Sequence, residues 1–222
     1  LLDDGTAVIE MAQASGLALL SVEERNPVKS NTYGFGQMIM DAYSRGARDF
    51  IIGIGGSATT EMGIGMLAAL GLKFLDAEGK EVEPLLQNLD FIDIIDDSNL
   101  NKDIFDIRIQ LACDVTNPLC GDLGCSRVYG TQKGATEEMI KDMDIWLEKY
   151  AKLAKNYNSD ADDKYPGSGA AGGMGFAFRT FLNGSLESGI KIVLEETKLE
   201  SYVKDADLVI TGEGRLDRQT AM

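Results

Sequence analysis

Histidine is absent from this 222-residue chain. Ser-His-Asp and Cys-His catalysis, imidazole general bases and His-ligated zinc are therefore excluded within these residues. Proton transfer falls to Asp, Glu, Lys or Tyr, and a metal would be a hard cation held by oxygens. Cysteine is scarce and odd in number: Cys113, Cys120 and Cys125 show no CxxC spacing, which points to free thiols in a reducing, cytoplasmic compartment. Positive charge is short as well, with 21 Lys and Arg against 36 Asp and Glu and a formal net charge of -15. Nucleic acid and anionic membrane surfaces would be repelled overall, so an anionic small substrate needs a local cluster of amides or cations acting against that field. No apolar run approaches the length that spans a bilayer. The chain opens on Leu1-Leu2-Asp3-Asp4-Gly5 without an initiator Met or a signal peptide, and it stops at Met222 just after a motif poised to start a helix. We expect an internal piece of a longer protein.

What is there describes a soluble globular protein, 44% hydrophobic and 26% charged, long enough to bury a core without disulfides. Thr6 to Met11 reads as a strand. Thr32 to Arg45 reads as a helix, with Thr32 as N-cap and Gly46 as stop. Asp49 to Ile54 is a continuous apolar run suited to a parallel strand buried on both faces, followed by a Gly-rich turn and a helix over Ile64 to Leu70. Phe74-Leu75 and Val82 form a hairpin around Asp76 to Lys80. Ile107, Ile109, Leu111 and Cys113 alternate with wetter residues, the period of a strand with one polar face, so mixed pairing is expected. Thr136 caps a helix running to about Lys155 on an Ile140, Met143, Leu147, Tyr150, Ala151, Ala154 stripe. Asn156 to Pro166 is a polar loop, expected to be mobile. Further helices cover Ala170 to Leu182 and Ile190 to Thr197, and Asp207 to Thr211 reads as a buried strand.

Four loops carry candidate chemistry. In Gly53-Ile54-Gly55-Gly56-Ser57-Ala58-Thr59-Thr60-Glu61 a strand runs into glycines and hydroxyls ahead of a helix. It can cradle an anion on backbone amides or simply be a tight turn, and it lacks the Lys of a Walker A loop. Pro166 to Gly175 contains a formal GxGxxG at Gly167, Gly169 and Gly172, but the polar stretch before it is not the strand that a dinucleotide fingerprint requires. An anion-binding helix start and close packing through small residues both remain open. In Thr211-Gly212-Glu213-Gly214-Arg215-Leu216-Asp217-Arg218, two carboxylates and two guanidinium groups follow a strand, as phosphoryl transfer would use them; a solvated charged turn is the alternative. Finally, Asp114 and Asn117 can bind hydroxyls of a polar substrate and Lys133 its carboxylate, or they are a turn-capping Asp and a surface Lys.

In this order the loops closely resemble the glycerate kinase family, through TAVIEMAQASGLALL, RNPVKSNTYGFGQMI, IIGIGGSAT, ACDVTNPLCG, QKGAT, GSGAAGGMG and DLVITGEGRLDRQT. The resemblance implies ATP- and Mg2+-dependent phosphorylation of D-glycerate in a cleft between a flavodoxin-like domain and an inserted domain of mixed sheet. Residues 1–204 would be that inserted α/β domain, and 205–222 the re-entry strand and loop of the flavodoxin-like one. By the same analogy Asp217, Glu213 and Arg215 are catalytic, with Asp217 and Glu213 the metal ligands. Ser57, Thr59, Asp114, Asn117 and Lys133 hold glycerate, while Gly55, Gly56, Ser168 and Gly169 hold phosphate. A homodimer is compatible with this reading; nucleic-acid and membrane partners are not.

Two departures from the family pattern stand out. Thr60-Glu61-Met62 replaces the usual Asn-Asp-Gly. The Ser-Phe-Lys-Gly block and the Gly-Lys after the last motif lie outside the chain, so the fragment alone is expected to be inactive. The rivals are a non-catalytic sugar-acid or anion-binding module and a nucleotide-dependent oxidoreductase.

Overall fold

A computed structural model describes residues 1–100, 102–210 and 212. The strands are β1 (Ala7–Glu10), β2 (Asp49–Gly53), β3 (Lys73–Leu75), β4 (Ile94–Asp96), β5 (Arg108–Ala112) and β6 (Ser185–Glu187). The α-helices are α1 (Ala12–Ser15), α2 (Tyr33–Ser44), α3 (Ile64–Ala69), α4 (Cys125–Tyr129), α5 (Glu137–Tyr157), α6 (Ala170–Leu182), α7 (Gly189–Glu196) and α8 (Leu199–Val203). Packing divides the chain into residues 1–189 and residues 190–222.

The first unit is built on a four-stranded sheet in the order β1-β2-β5-β6, parallel throughout. Register places Ala7 beside Phe50 beside Ile109, and Ile9 beside Ile52 beside Leu111, so one face is a continuous apolar layer, all of it buried. Between them, Val8 and Arg108 are exposed while Ile51 is buried, which is the polar second face read for β5 and the two-sided burial read for β2. The expected mixture of pairings is present, segregated into two sheets: β3 pairs antiparallel with β4, and the hairpin around Asp76 closes with the Val82 amide donating to the Phe74 carbonyl at 2.7 Å. On α5 the buried stripe is the one read from the sequence, and Tyr150 meets Phe74 edge-on at 6.1 Å between centroids.

Four local expectations are corrected. Thr32 precedes α2 but does not cap it with its side chain. The helix over 170–182 is broken near its start, where Ala171, Gly172 and Gly173 take φ of 52, 71 and 95. The polar 156–166 segment is fastened rather than loose: Asn158 Nδ2 donates to the Thr180 carbonyl, the Leu119 amide to the Asp163 carbonyl, and Ala161 is buried. Asp207 to Ile210 forms no strand, and Leu208, Val209 and Ile210 are exposed. A strand needs a neighbour for its backbone groups, and among the described residues this segment pairs with none. β4, β6, α1, α4 and α8 carry too little periodic apolar sequence to be read in advance.

Candidate active site

At the carboxyl ends of β2 and β5, where open parallel sheets bind ligands, lies a cavity of about 420 Å³. Gly55, Gly56 and Ser57 line it after β2, Asp114 after β5, and Lys133 and Ala171 from further along the chain. The loop after β2 is held at its far side, since Leu17 donates to the Gly56 carbonyl at 2.8 Å and Ala58 to the Ser15 carbonyl at 2.9 Å. The amides of Gly55, Gly56 and Ser57 have no acceptor among the described residues. No helix start follows directly, because α3 begins only at Ile64. The free donors at this loop are thus its own amides, with Gly56 at φ 69 opening the turn.

Lys133 is not a surface residue. Only 2% exposed, it sends Nζ to Ser57 Oγ at 2.9 Å and to the Thr59 carbonyl at 2.6 Å. A short 3-10 turn (Thr131–Lys133) carries it and ends at Gly134 with φ 92, where a Cβ would sit 2.3 Å from the Arg25 carbonyl; only glycine fits that crossing. Burial pushes the Lys133 amine down to about 8, with Cys125 and Glu61 nearby opposing the fall. Asp114, which lines the cavity, accepts on Oδ1 from Ser188 Oγ at 3.1 Å and from the Gly189 amide at 2.9 Å.

The remaining assigned residues lie behind the cavity or outside the described residues. Asn117 is committed to the frame: Nδ2 donates to the Leu123 carbonyl at 2.9 Å and Oδ1 accepts from Tyr129 at 2.7 Å. Thr59 is fully buried and contributes its carbonyl to Lys133. Ser168 donates to the Asp162 carbonyl at 2.7 Å and the Gly169 amide to the Asn117 carbonyl at 3.0 Å, so the donors expected to meet a phosphate are already spent. Gly169, Gly172 and Gly175 instead allow backbone crossings, with a Cβ at each falling 2.2, 2.2 and 2.0 Å from a carbonyl oxygen; close packing, not a dinucleotide site, explains this glycine pattern. Glu213, Arg215 and Asp217 lie outside the described residues. Among those described, no group of three or more Asp, Glu, Cys or His could hold a metal ion.

Glu61 and Tyr129 went unassigned in the sequence. Tyr129 sits on the cavity wall four residues before Lys133, just ahead of the QKGAT block. Glu61, fully buried, accepts on Oε1 from the Thr32 amide at 2.8 Å, the Thr32 hydroxyl and the Gly65 amide at 3.3 Å. Burial pushes its carboxyl up, opposed by these bonds. Met62 beside it holds φ 56, a left-handed geometry at the position where the family pattern has glycine, at a cost of about 1 kcal/mol.

The glycerate kinase family model matches residues 1–222. The chain belongs to the glycerate kinase family. It is 48% identical over 219 residues to a glycerate kinase of Bacillus cereus, covering 99% of this chain and 58% of that protein. It is 49% identical to the glycerate 2-kinase of Escherichia coli, covering 98% and 57%. A crystal structure provisionally described as glycerate kinase 2 of Salmonella typhimurium superposes with a TM-score of 0.93 at 45% identity, covering all of this chain and 60% of that one. The chain therefore spans somewhat under three-fifths of the length of the curated relatives it matches. Both the α/β architecture and the family read from the motif blocks agree with these matches.

Proposed function

We propose that the full-length protein containing this chain is a glycerate kinase that transfers the γ-phosphoryl group of ATP to D-glycerate, in the cytoplasm. One observation carries the reading: family blocks distant in sequence, GGSAT, ACDVTN and QKGAT, converge on one cavity at the strand ends. Glycerate's carboxylate fits the unpaired amides of Gly55, Gly56 and Ser57, and its hydroxyls fit Ser57 and Asp114. Tyr129 and Asn117 brace the wall, and Thr59 holds Lys133 in place. Glu213, Asp217 and Arg215 supply what phosphoryl transfer needs beyond these: a cation for the transferring charge, and acids for Mg2+. By the family resemblance Mg2+ would rest on Glu213 and Asp217 together with the phosphates, where its charge would offset theirs. Residues 1–204 act in this reading as the substrate-bearing inserted domain, and 205–222 as the start of the chain's return to the nucleotide-bearing one.

Coupled ADP release with ATP and D-glycerate, followed by phosphorus NMR of the product, tests the proposal. A phosphoglycerate formed only when both substrates are present supports it. Saturable D-glycerate binding without ADP release would establish the non-catalytic sugar-acid module instead.

A further inference from the structure

Building on the proposed kinase activity, we infer that Lys133, acting through the Ser57 hydroxyl, is the proton acceptor for the glycerate hydroxyl that becomes phosphorylated. Phosphoryl transfer to an alcohol releases a proton, and a group able to take it must reach the hydroxyl directly or through one intermediary. Ser57 lines the cavity and Lys133 Nζ lies 2.9 Å from its Oγ. The second Nζ contact, to the Thr59 carbonyl at 2.6 Å, fixes the amine in that position. Lys133 makes no ion pair among the described residues, unlike a lysine kept for its charge, and its side chain is shut off from bulk water.

The groups facing it leave that role to the amine. Cys125 is pushed up to about 11 by burial, and burial also raises the Tyr129 phenol. Neither nearby carboxylate bonds Ser57 or Lys133 among the described residues: Asp114 Oδ1 accepts from Ser188 and Gly189, and Glu61 Oε1 from Thr32 and Gly65. Burial lowers the Lys133 amine to about 8, so it carries a larger neutral fraction at any given pH than an ordinary lysine. In the step itself the glycerate oxygen bonds to the γ-phosphorus, and the bond from that phosphorus to the β,γ-bridging oxygen breaks to leave ADP. The glycerate proton moves to Ser57 Oγ while the Ser57 proton moves to Nζ, and after product leaves the ammonium returns it through Ser57 to water in the open cavity.

The competing role, a charged anchor for the carboxylate, gives the opposite pH dependence, and this decides the test. In the full-length protein, kcat/KM for D-glycerate should rise about 10-fold per pH unit up to about 8 and then level. A fall above about 8 would show that the protonated amine is required and would overturn the proposal. Ser57→Ala should lower kcat about 100-fold or more, a larger effect than the rise in the D-glycerate KM that follows from losing one substrate hydrogen bond; wild-type kcat in that variant would likewise overturn it. Lys133→Ala should be partly rescued by small primary amines, in proportion to their free-base concentration. If that variant does not fold, the wild-type profile and Ser57→Ala still decide. Absence of D-glycerate-dependent ADP release at every pH would instead remove the kinase reading, and this proposal with it.

Discussion

Glu61 accepts both the amide and the hydroxyl of Thr32 on one carboxyl oxygen, so the loop that lines the cavity ends on the first turn of a helix 29 residues earlier in the chain. Thr32 Oγ1 in turn accepts from the Met66 amide at 2.8 Å. One buried carboxyl thus joins the starts of α2 and α3 and sets the far end of the 55–60 loop.

Its titration should be visible in stability. Burial raises the folded-state pKa of Glu61 above its ordinary value, so over that window the native chain binds more protons than the unfolded one. The contribution is full below the ordinary Glu value and is lost as pH rises through the raised one. Melting curves of wild type and Glu61→Gln between pH 4 and 8 should therefore show the wild type losing ground to the variant as pH rises. A pH-independent difference would mean that Glu61 does not titrate in this window.

The two threonines read as helix caps should part company on substitution. Thr136 Oγ1 accepts from the Met139 amide at 3.2 Å at an exposed helix start, so Thr136→Ala should cost about 1 kcal/mol. Thr32 is buried and bonded to a carboxyl and an amide, so Thr32→Ala should cost about 2 kcal/mol or more in urea unfolding. Equal costs would mean that the Glu61 junction adds nothing.

How far the sequence could be read follows the range of the interactions. The α5 stripe, the β2 run and the Thr136 cap are set by neighbours within a few residues, and they stand as expected. Asp114, Ser57, Gly55 and Gly56 line the cavity because each sits in a strand-end block. Whether a side chain faces the cavity or the frame depends on tertiary contacts that no periodic pattern encodes: Asn117 turns to Leu123 and Tyr129 and Ser168 to Asp162, 6 to 12 residues away, and Lys133 to Ser57 and Thr59, 76 and 74 residues away. Glu61 is a like case: its bond to Thr32 spans 29 residues and cannot be read from the local pattern.

The glycine-rich 167–175 segment gives a test of packing against anion binding. A Cβ on Gly172, at φ 71, would lie 2.2 Å from the Thr59 carbonyl oxygen, whereas one on Gly79, at φ 80, meets nothing within 4 Å. Gly79→Ala should cost about 1 kcal/mol from its left-handed backbone alone, and Gly172→Ala about 3 kcal/mol or more. Similar denaturation midpoints for the two variants would contradict the close crossing of this segment over the cavity loop.

Asp217→Asn in the full-length protein keeps shape and removes charge and basicity. With the proton assigned to Lys133, Asp217 is left to the metal, and the variant should lose about 100-fold or more in kcat and need more Mg2+, at an unchanged Tm. Retention of more than about a tenth of wild-type kcat would make Asp217 a turn residue.

The most direct test of the account is the steady-state kinetics of Gly56→Val in the full-length protein, with D-glycerate varied at saturating ATP. Gly56 lines the cavity at φ 69, a conformation that a β-branched residue resists, so the loop amides should be displaced from the substrate. The expected result is D-glycerate-dependent ADP release by the wild type and a KM at least about 10-fold higher in the variant, each with a cooperative melting transition. Wild-type kcat and KM in Gly56→Val would contradict the assignment of this cavity to glycerate.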